Sequence, residues 1–161
     1  LGIVTGFSTD NARVRASDPF GFTDSPPVTL SMLVPPPPPV PPTPARLTAV
    51  AAGPGGGPHV QVFNADGTLR FSFFAYAPGF AGGVQVATGD VTGDLVEDVV
   101  TAAGAGGGPH VRVFDGATGA LVREFFAYQP GFTGGVSVAV GDTDADGFAD
   151  VVTAAGKGGA P

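Results

Sequence analysis

The sequence predicts an all-β fold made of propeller-type blades, and three observations support this prediction. Residues 51–60, Ala-Ala-Gly-Pro-Gly-Gly-Gly-Pro-His-Val, recur at residues 102–111 with a single change, and a third copy starts at residue 154. Apolar residues alternate with period two in His110–Phe114 and in Val136–Val140, which is typical of half-buried strands. No segment of the repeats has the 3.6-residue periodicity of an amphipathic helix.

Each repeat of 51 or 52 residues is expected to contain four short strands joined by hairpins, which is the size of one propeller blade. The recurring segments give three strands of one blade, four of the next and two of a third. The predicted strands include Leu47–Ala52, Leu121–Tyr128 and the small apolar segment Asp150–Ala155. Since a propeller needs about four blades to close, we expect an incomplete, open set whose exposed edges favour assembly.

Composition divides the chain into three regions: an extended or β N-terminal arm (1–34), a polyproline linker (35–46) and the β-repeats (47–161). Ten of the seventeen prolines lie between Pro26 and Pro44. We call residues 35–44 the proline run, and we expect a stiff polyproline II segment there that rises about 3.1 Å per residue. The apolar segments Leu1–Phe7 and Val28–Val34 each predict one strand. Such a strand on a stiff arm can pair with a sheet edge of a neighbouring molecule, and a plain spacer between domains is the alternative.

Two acidic segments, one in each of two repeats, predict cation sites. Residues 142–150, called acidic loop 2, place carboxylates at positions 1, 3, 5 and 9 and a glycine at position 6, namely Asp142, Asp144, Asp146, Asp150 and Gly147. Residues 90–98, called acidic loop 1, repeat this register with Asp90, Thr92, Asp94, Asp98 and, at position 6, Leu95. Oxygen ligands without cysteine or nearby histidine favour Ca²⁺, so we expect one or two calcium ions.

The ligands expected in acidic loop 2 are its four aspartates and the carbonyl oxygen of Phe148 at position 7. In acidic loop 1 the equivalents are Asp90, Thr92, Asp94, Asp98 and the Val96 carbonyl oxygen. Glu97, at position 8, is expected to face solvent. An EF-hand is excluded because Thr153 stands at position 12 and the flanking segments are β. An acidic hairpin turn without metal is the alternative.

The pattern Gly-Asp-x-(Asp/Asn/Thr)-x-Asp-x-x-x-Asp between strands, followed by a glycine-rich turn, resembles FG-GAP (VCBS-type) repeats. These repeats are the blades of integrin-α-like β-propellers, and the resemblance covers Leu47 to Pro161. It implies calcium-stapled blades. The motif departs from the family at Leu95, where glycine is usual, and at Thr92, where an acid is usual.

Charge and composition exclude several classes of function. The net charge is −7, eight of the fourteen acidic residues lie in the two loops, and the seven Lys and Arg residues are scattered. This argues against nucleic acid or an anionic membrane as a partner. The absence of cysteine excludes disulfides and thiol chemistry. No apolar run is long enough for a transmembrane helix, and the missing initiator Met and signal peptide suggest a processed chain or a fragment.

The remaining motifs are interpreted as structural. His59 and His110 occupy equivalent strand starts, the glycine-rich turns lack the Lys-Ser/Thr of phosphate loops, and no catalytic constellation is present, so we expect no enzyme. Thr43 and the prolines are candidate sites for an O-linked glycan. Aromatic residues, which we expect in the core between blades or, alternatively, stacked on sugars, recur as Phe73, Phe74, Tyr76, Phe80, Phe125, Phe126, Tyr128 and Phe132.

We therefore expect a calcium-stabilised structural protein of the extracellular space or the cell surface. Calcium loops of this kind usually need the millimolar calcium found outside cells, which favours this location. Because the set of blades is incomplete, we expect a homo-oligomer or filament formed through blade edges and the N-terminal arm. The alternative is a fragment of a closed propeller that binds protein or glycan as an adhesion module.

Overall fold

The computed structural model describes residues 45–159, and these residues form an all-β body. It contains nine strands and no helix, so the described part of the chain contains no helix long and apolar enough to cross a membrane. The predicted arm and most of the predicted linker lie outside the described residues. The strands are β1 (Leu47–Ala51), β2 (His59–Asn64), β3 (Leu69–Phe74), β4 (Val84–Gly89), β5 (Asp98–Ala103), β6 (His110–Phe114), β7 (Leu121–Phe126), β8 (Val136–Gly141) and β9 (Asp150–Ala155).

The strands form three open antiparallel sheets. Sheet I has the order β1-β2-β3, sheet II the order β4-β5-β6-β7, and sheet III consists of β8 and β9. This confirms the predicted division into three, four and two strands. Two predicted strands are shorter than expected, since β1 ends at Ala51 and β7 at Phe126.

The pairing register repeats together with the sequence. Val86 pairs with Thr101 in sheet II and Val138 pairs with Thr153 in sheet III, a shift of 52 residues. In sheets I and II, β2 and β6 contain equivalent register shifts, just before Phe63 and Phe114, next to the hairpin where the repeat gains its extra residue. The equivalent strands therefore occupy equivalent places in successive sheets.

Sheet II lies between two apolar cores, which explains why all six residues of β5 are buried. Its Val99 packs against sheet I, and its Val100 packs on the other side with Val136 of sheet III. The first core consists of Leu47, Val60, Val62, Ala75, Val84, Val99 and Phe114. The second core consists of Val100, Ala102, Val111, Val113 and Val136. A strand that is apolar on both faces fits this double burial.

Glycines allow the close approach of neighbouring sheets at the glycine-rich ends of the strands. Gly83 has a φ of 82°, and a Cβ atom there would lie 2.8 Å from the backbone nitrogen of Pro54 in the preceding repeat. Gly135 has a φ of 85°, and its Cβ position lies 2.8 Å from the backbone nitrogen of Ala105. Since no side chain fits either position, the Gly-Gly pair before each inner strand is a requirement of the packing between sheets.

Candidate metal centre

Both acidic loops connect the first two strands of their sheets and have the same backbone geometry. Positions 4 and 6 adopt the left-handed conformation in each loop. In acidic loop 1 these are Gly93 (φ 79°) and Leu95 (φ 67°), and in acidic loop 2 they are Ala145 (φ 63°) and Gly147 (φ 92°). Each loop therefore has one glycine and one residue with a Cβ atom in this conformation, which costs about 1–2 kcal/mol for a residue other than glycine.

Acidic loop 2 brings three of its predicted ligands together. Asp142, Asp144 and Asp146 each place one carboxylate oxygen within 4.8 Å of the other two, and all three side chains are exposed. Three negative charges at this separation repel each other unless a cation lies among them. Among the described residues, this is the group of three side chains whose geometry fits a metal ion.

The fourth predicted carboxylate of acidic loop 2 is held by a threonine. Asp150 accepts a hydrogen bond of 2.9 Å from the backbone N–H of Thr143 and a short one from its hydroxyl group. The hydrogen bond from the Thr143 side chain lowers the pKa of Asp150, and the backbone hydrogen bond contributes in the same direction. Asp150 is therefore fixed in its ionised form, and it does not belong to the group of three converging carboxylates.

Position 7, where Phe148 and Val96 were predicted to offer carbonyl oxygens, has the same hydrogen bond in both loops. The N–H of Phe148 donates to Asp146 Oδ1 at 2.8 Å, and the N–H of Val96 donates to Asp94 Oδ1 at 2.9 Å. The position 5 carboxylates thus stabilise the two backbones in the same way. Asp94 and Asp146 therefore form a matched pair for comparing the loops.

Acidic loop 1 directs its two end carboxylates at backbone N–H groups. The Asp90 carboxylate accepts hydrogen bonds of 2.6, 3.1 and 2.9 Å from the N–H groups of Gly93, Asp94 and Leu95. It is 6% exposed. Three backbone N–H groups therefore point at this carboxylate and satisfy its acceptor sites without a metal.

Asp98 closes acidic loop 1 in the same manner and is 0% exposed. Its Oδ2 accepts hydrogen bonds from the N–H groups of Val91 and Thr92 at 2.9 and 2.8 Å. Its Oδ1 accepts one of 3.0 Å from Gly116, in the turn between β6 and β7. The predicted ligand Thr92 thus contributes its backbone N–H to this network.

Glu97 was expected to face solvent, and this prediction is wrong. Its Oε2 accepts a hydrogen bond of 2.8 Å from the backbone N–H of Leu47, at the start of β1. Around it, Ala45 forms a parallel bridge with Val96, and the N–H of Glu97 donates to the Ala45 carbonyl oxygen at 3.1 Å. Glu97 therefore anchors sheet I to acidic loop 1, a role that depends on a contact fifty residues away.

The two histidines lie at equivalent strand starts and contact aromatic rings. His59 lies 5.3 Å from Phe74, and His110 lies 5.0 Å from Phe126, between ring centroids. Burial lowers the pKa of His110, and the nearby Arg112 acts in the same direction. Neither histidine belongs to a group of three potential metal ligands among the described residues.

The aromatic residues expected in the core divide into two sets. Phe73 packs on Phe114 at 4.2 Å between ring centroids, as expected. Phe74, Phe125 and Phe126 are 58%, 36% and 56% exposed, so the prediction is wrong for them. For Phe74 the reason is that adjacent residues in a strand point to opposite faces, so Phe73 and Phe74 cannot both face the core.

Comparisons of the chain with models of protein families, with curated proteins and with solved structures found no match. The resemblance to FG-GAP repeats therefore stays a prediction from the motifs quoted above.

Proposed function

We propose that this chain is a calcium-stabilised structural repeat protein of the extracellular space or the cell surface, built from FG-GAP (VCBS-type) blades. The observation that supports it most is the convergence of Asp142, Asp144 and Asp146 within 4.8 Å in a loop between two strands. Exposed oxygen ligands in a short loop suit Ca²⁺ at the high concentrations found outside cells. In this proposal the metal supplies folding free energy.

Calcium would act on the hairpin of sheet III. Acidic loop 2 joins β8 to β9, and an ion held by its carboxylates would remove their repulsion and fix the loop geometry. A ligand that binds only the folded state stabilises it by about 2.7 kcal/mol at a concentration one hundred times its Kd. We expect one ion per chain, since the carboxylates of Asp90 and Asp98 in acidic loop 1 already accept three N–H groups each.

Self-assembly through sheet edges is the second part of the proposal. β5 is paired on both edges, whereas its repeat equivalents β1 and β9 are each paired on one edge within residues 45–159. Val50 of β1 and Val152 of β9 are about half exposed. Unpaired strand edges with apolar side chains favour the addition of further strands, and we propose that other copies of the chain supply them.

The calcium site is tested with the matched variants Asp146→Ala and Asp94→Ala. Each removes a position 5 carboxylate that accepts one equivalent N–H group. In EGTA, Asp146→Ala should destabilise the fold less than Asp94→Ala, because it also relieves the repulsion among the three converging carboxylates. With calcium in excess, the wild type and Asp94→Ala should gain stability against urea, and Asp146→Ala should gain none. Titration calorimetry should give one site per chain. Equal calcium responses from both variants would contradict this assignment.

Assembly is tested by electron microscopy and sedimentation of the whole chain, with calcium and after EGTA. We expect ordered filaments or arrays that loosen when calcium is removed. Closed rings of fixed size, or a monomer under both conditions, would contradict the structural function and favour a binding module.

A further inference from the structure

A cavity of about 300 Å³ lies between sheet I and sheet II, at the glycine-rich ends of their strands. One wall comes from the segment after β3, with Tyr76 and Phe80, and the other from β6 and β7, with His110 and Phe126. It lies inside the packed pair of repeats and is formed by described residues of both.

Aromatic rings line this cavity. The ring of Tyr76 lies 5.7 Å from that of Phe80, in an edge-to-face arrangement, and 6.0 Å from His110. His110 in turn lies 5.0 Å from Phe126, which is more than half exposed at the rim. A concave surface of rings at these spacings offers flat apolar faces on which another ring can pack.

The polar groups beside the cavity are already paired with one another. The Tyr76 hydroxyl donates to the His110 carbonyl oxygen at 2.8 Å, and burial raises the pKa of Tyr76 to about 12. Arg112 donates to Glu124 at 3.1 Å and to the Ala75 carbonyl oxygen at 2.7 Å. His110 Nε2 lies 3.1 Å from Glu124 Oε2. A sugar would have to break these pairs to form hydrogen bonds, whereas an apolar ring without donors would not.

Proline fits this chemistry, because its ring is apolar and its backbone nitrogen has no hydrogen to donate. Aromatic-lined grooves are a recurring binding site for polyproline II segments, which lose little conformational entropy on binding. The chain itself contains such a segment: eight of the ten residues of the proline run are proline. The run lies outside the described residues, and its polyproline II conformation is a prediction from its amino-acid sequence alone.

We propose that this cavity binds the proline run of a second copy of the chain. Ala45 is bridged to Val96, at the acidic-loop end of sheet II, and the cavity lies beside Ala103, at the other end of β5. These ends are about 17 Å apart at 3.4 Å per residue. To reach the cavity, the chain's own proline run would have to reverse direction next to Ala45, which a stiff polyproline segment resists. A run from a neighbouring molecule can enter without such a reversal. This inference rests on the proposed self-assembly and names one of its contacts.

The test measures the binding of a fluorescein-labelled peptide of residues 35–44 to the full-length chain by fluorescence anisotropy. The variants are Phe126→Ser, at the rim of the cavity, and the matched control Phe74→Ser, its exposed counterpart in sheet I. We expect Phe126→Ser to weaken binding about tenfold or more, from the loss of one buried aromatic contact. Phe74→Ser should leave the affinity unchanged within about twofold, by the usual scatter of exposed sites.

Equal effects of the two variants, equally tight binding of a Gly-Ser peptide of the same length, or displacement of the peptide by an oligosaccharide would each overturn the inference. Sedimentation of the same samples separates it from the proposed function. Assembly without peptide binding would refute the cavity contact alone. If the peptide binds in the cavity but the full-length chain stays monomeric, a second copy does not supply the proline run. Self-assembly would then be refuted as well.

Discussion

Acidic loops 1 and 2 have the same register and the same backbone turns, yet they use their carboxylates differently. In acidic loop 1, Asp90 and Asp98 are buried and receive six backbone N–H groups. In acidic loop 2, Asp142 is exposed and its carboxylate accepts one hydrogen bond, of 3.0 Å, from the N–H of Gly147. The first arrangement stabilises negative charge with peptide dipoles, and the second leaves three charges that favour a cation.

The neighbours of each loop explain this difference. Acidic loop 1 contacts Ala45 before β1, the turn at Gly116, and Ala149, whose N–H donates to the Asp90 carbonyl oxygen at 2.8 Å. Acidic loop 2 adjoins β9, which has a single partner strand among the described residues. The same motif thus acts as a hydrogen-bonded structural loop where neighbours surround it, and as a candidate metal site where they do not.

The largest expected effect comes from removing the carboxylate at position 9. Asp98→Ala would leave three N–H groups without an acceptor at a buried position, and we expect a loss of about 3 kcal/mol or more in the free energy of unfolding. Asp150→Ala should cost far less in EGTA, because this carboxylate is only partly buried and is held by one threonine. Urea unfolding of both variants in EGTA measures the difference. Equal losses would show that both loops depend on their carboxylates in the same way.

A smaller effect is expected at position 6, where the loops differ in backbone strain. Leu95→Gly should raise the free energy of unfolding by about 0.5–1 kcal/mol, since the relief of left-handed strain exceeds the entropy cost of glycine. Gly147→Ala, the reverse change in acidic loop 2, should lower it by about 1 kcal/mol. Thermal unfolding in EGTA checks both variants. A destabilised Leu95→Gly variant would mean that the half-exposed leucine side chain stabilises the loop through packing.

Much of this architecture could be predicted from local sequence. The strand division of three, four and two follows from the repeats, and the strain at Leu95 follows from its alignment with Gly147. The burial of Asp98 could not be predicted, because it depends on the N–H of Gly116 in a different hairpin. The role of Glu97 likewise depends on Leu47, fifty residues earlier. The wrong prediction for Phe74 was avoidable from the sequence. In a strand, Phe73 and Phe74 point to opposite faces, so only one of them can face the core.

The smallest effect concerns position 2, where acidic loop 2 has Thr143 and acidic loop 1 has Val91. Thr143→Val removes the hydroxyl that lowers the pKa of Asp150, so this pKa should rise towards its ordinary value of 3.8. In the wild type the lowered pKa means that ionised Asp150 stabilises the folded state above about pH 3.8, and that this contribution is lost as the pH falls through the folded-state pKa.

An NMR titration of the Asp150 carboxyl carbon in EGTA measures this pKa in the wild type and in Thr143→Val. The titration of Asp115, whose pKa is lowered by Thr118 in another turn, serves as the control and should not change. An unchanged pKa for Asp150 would show that the backbone N–H of Thr143 alone holds the carboxylate. Position 2 would then contribute nothing to the difference between the loops, and that difference would arise entirely from the neighbours that surround acidic loop 1.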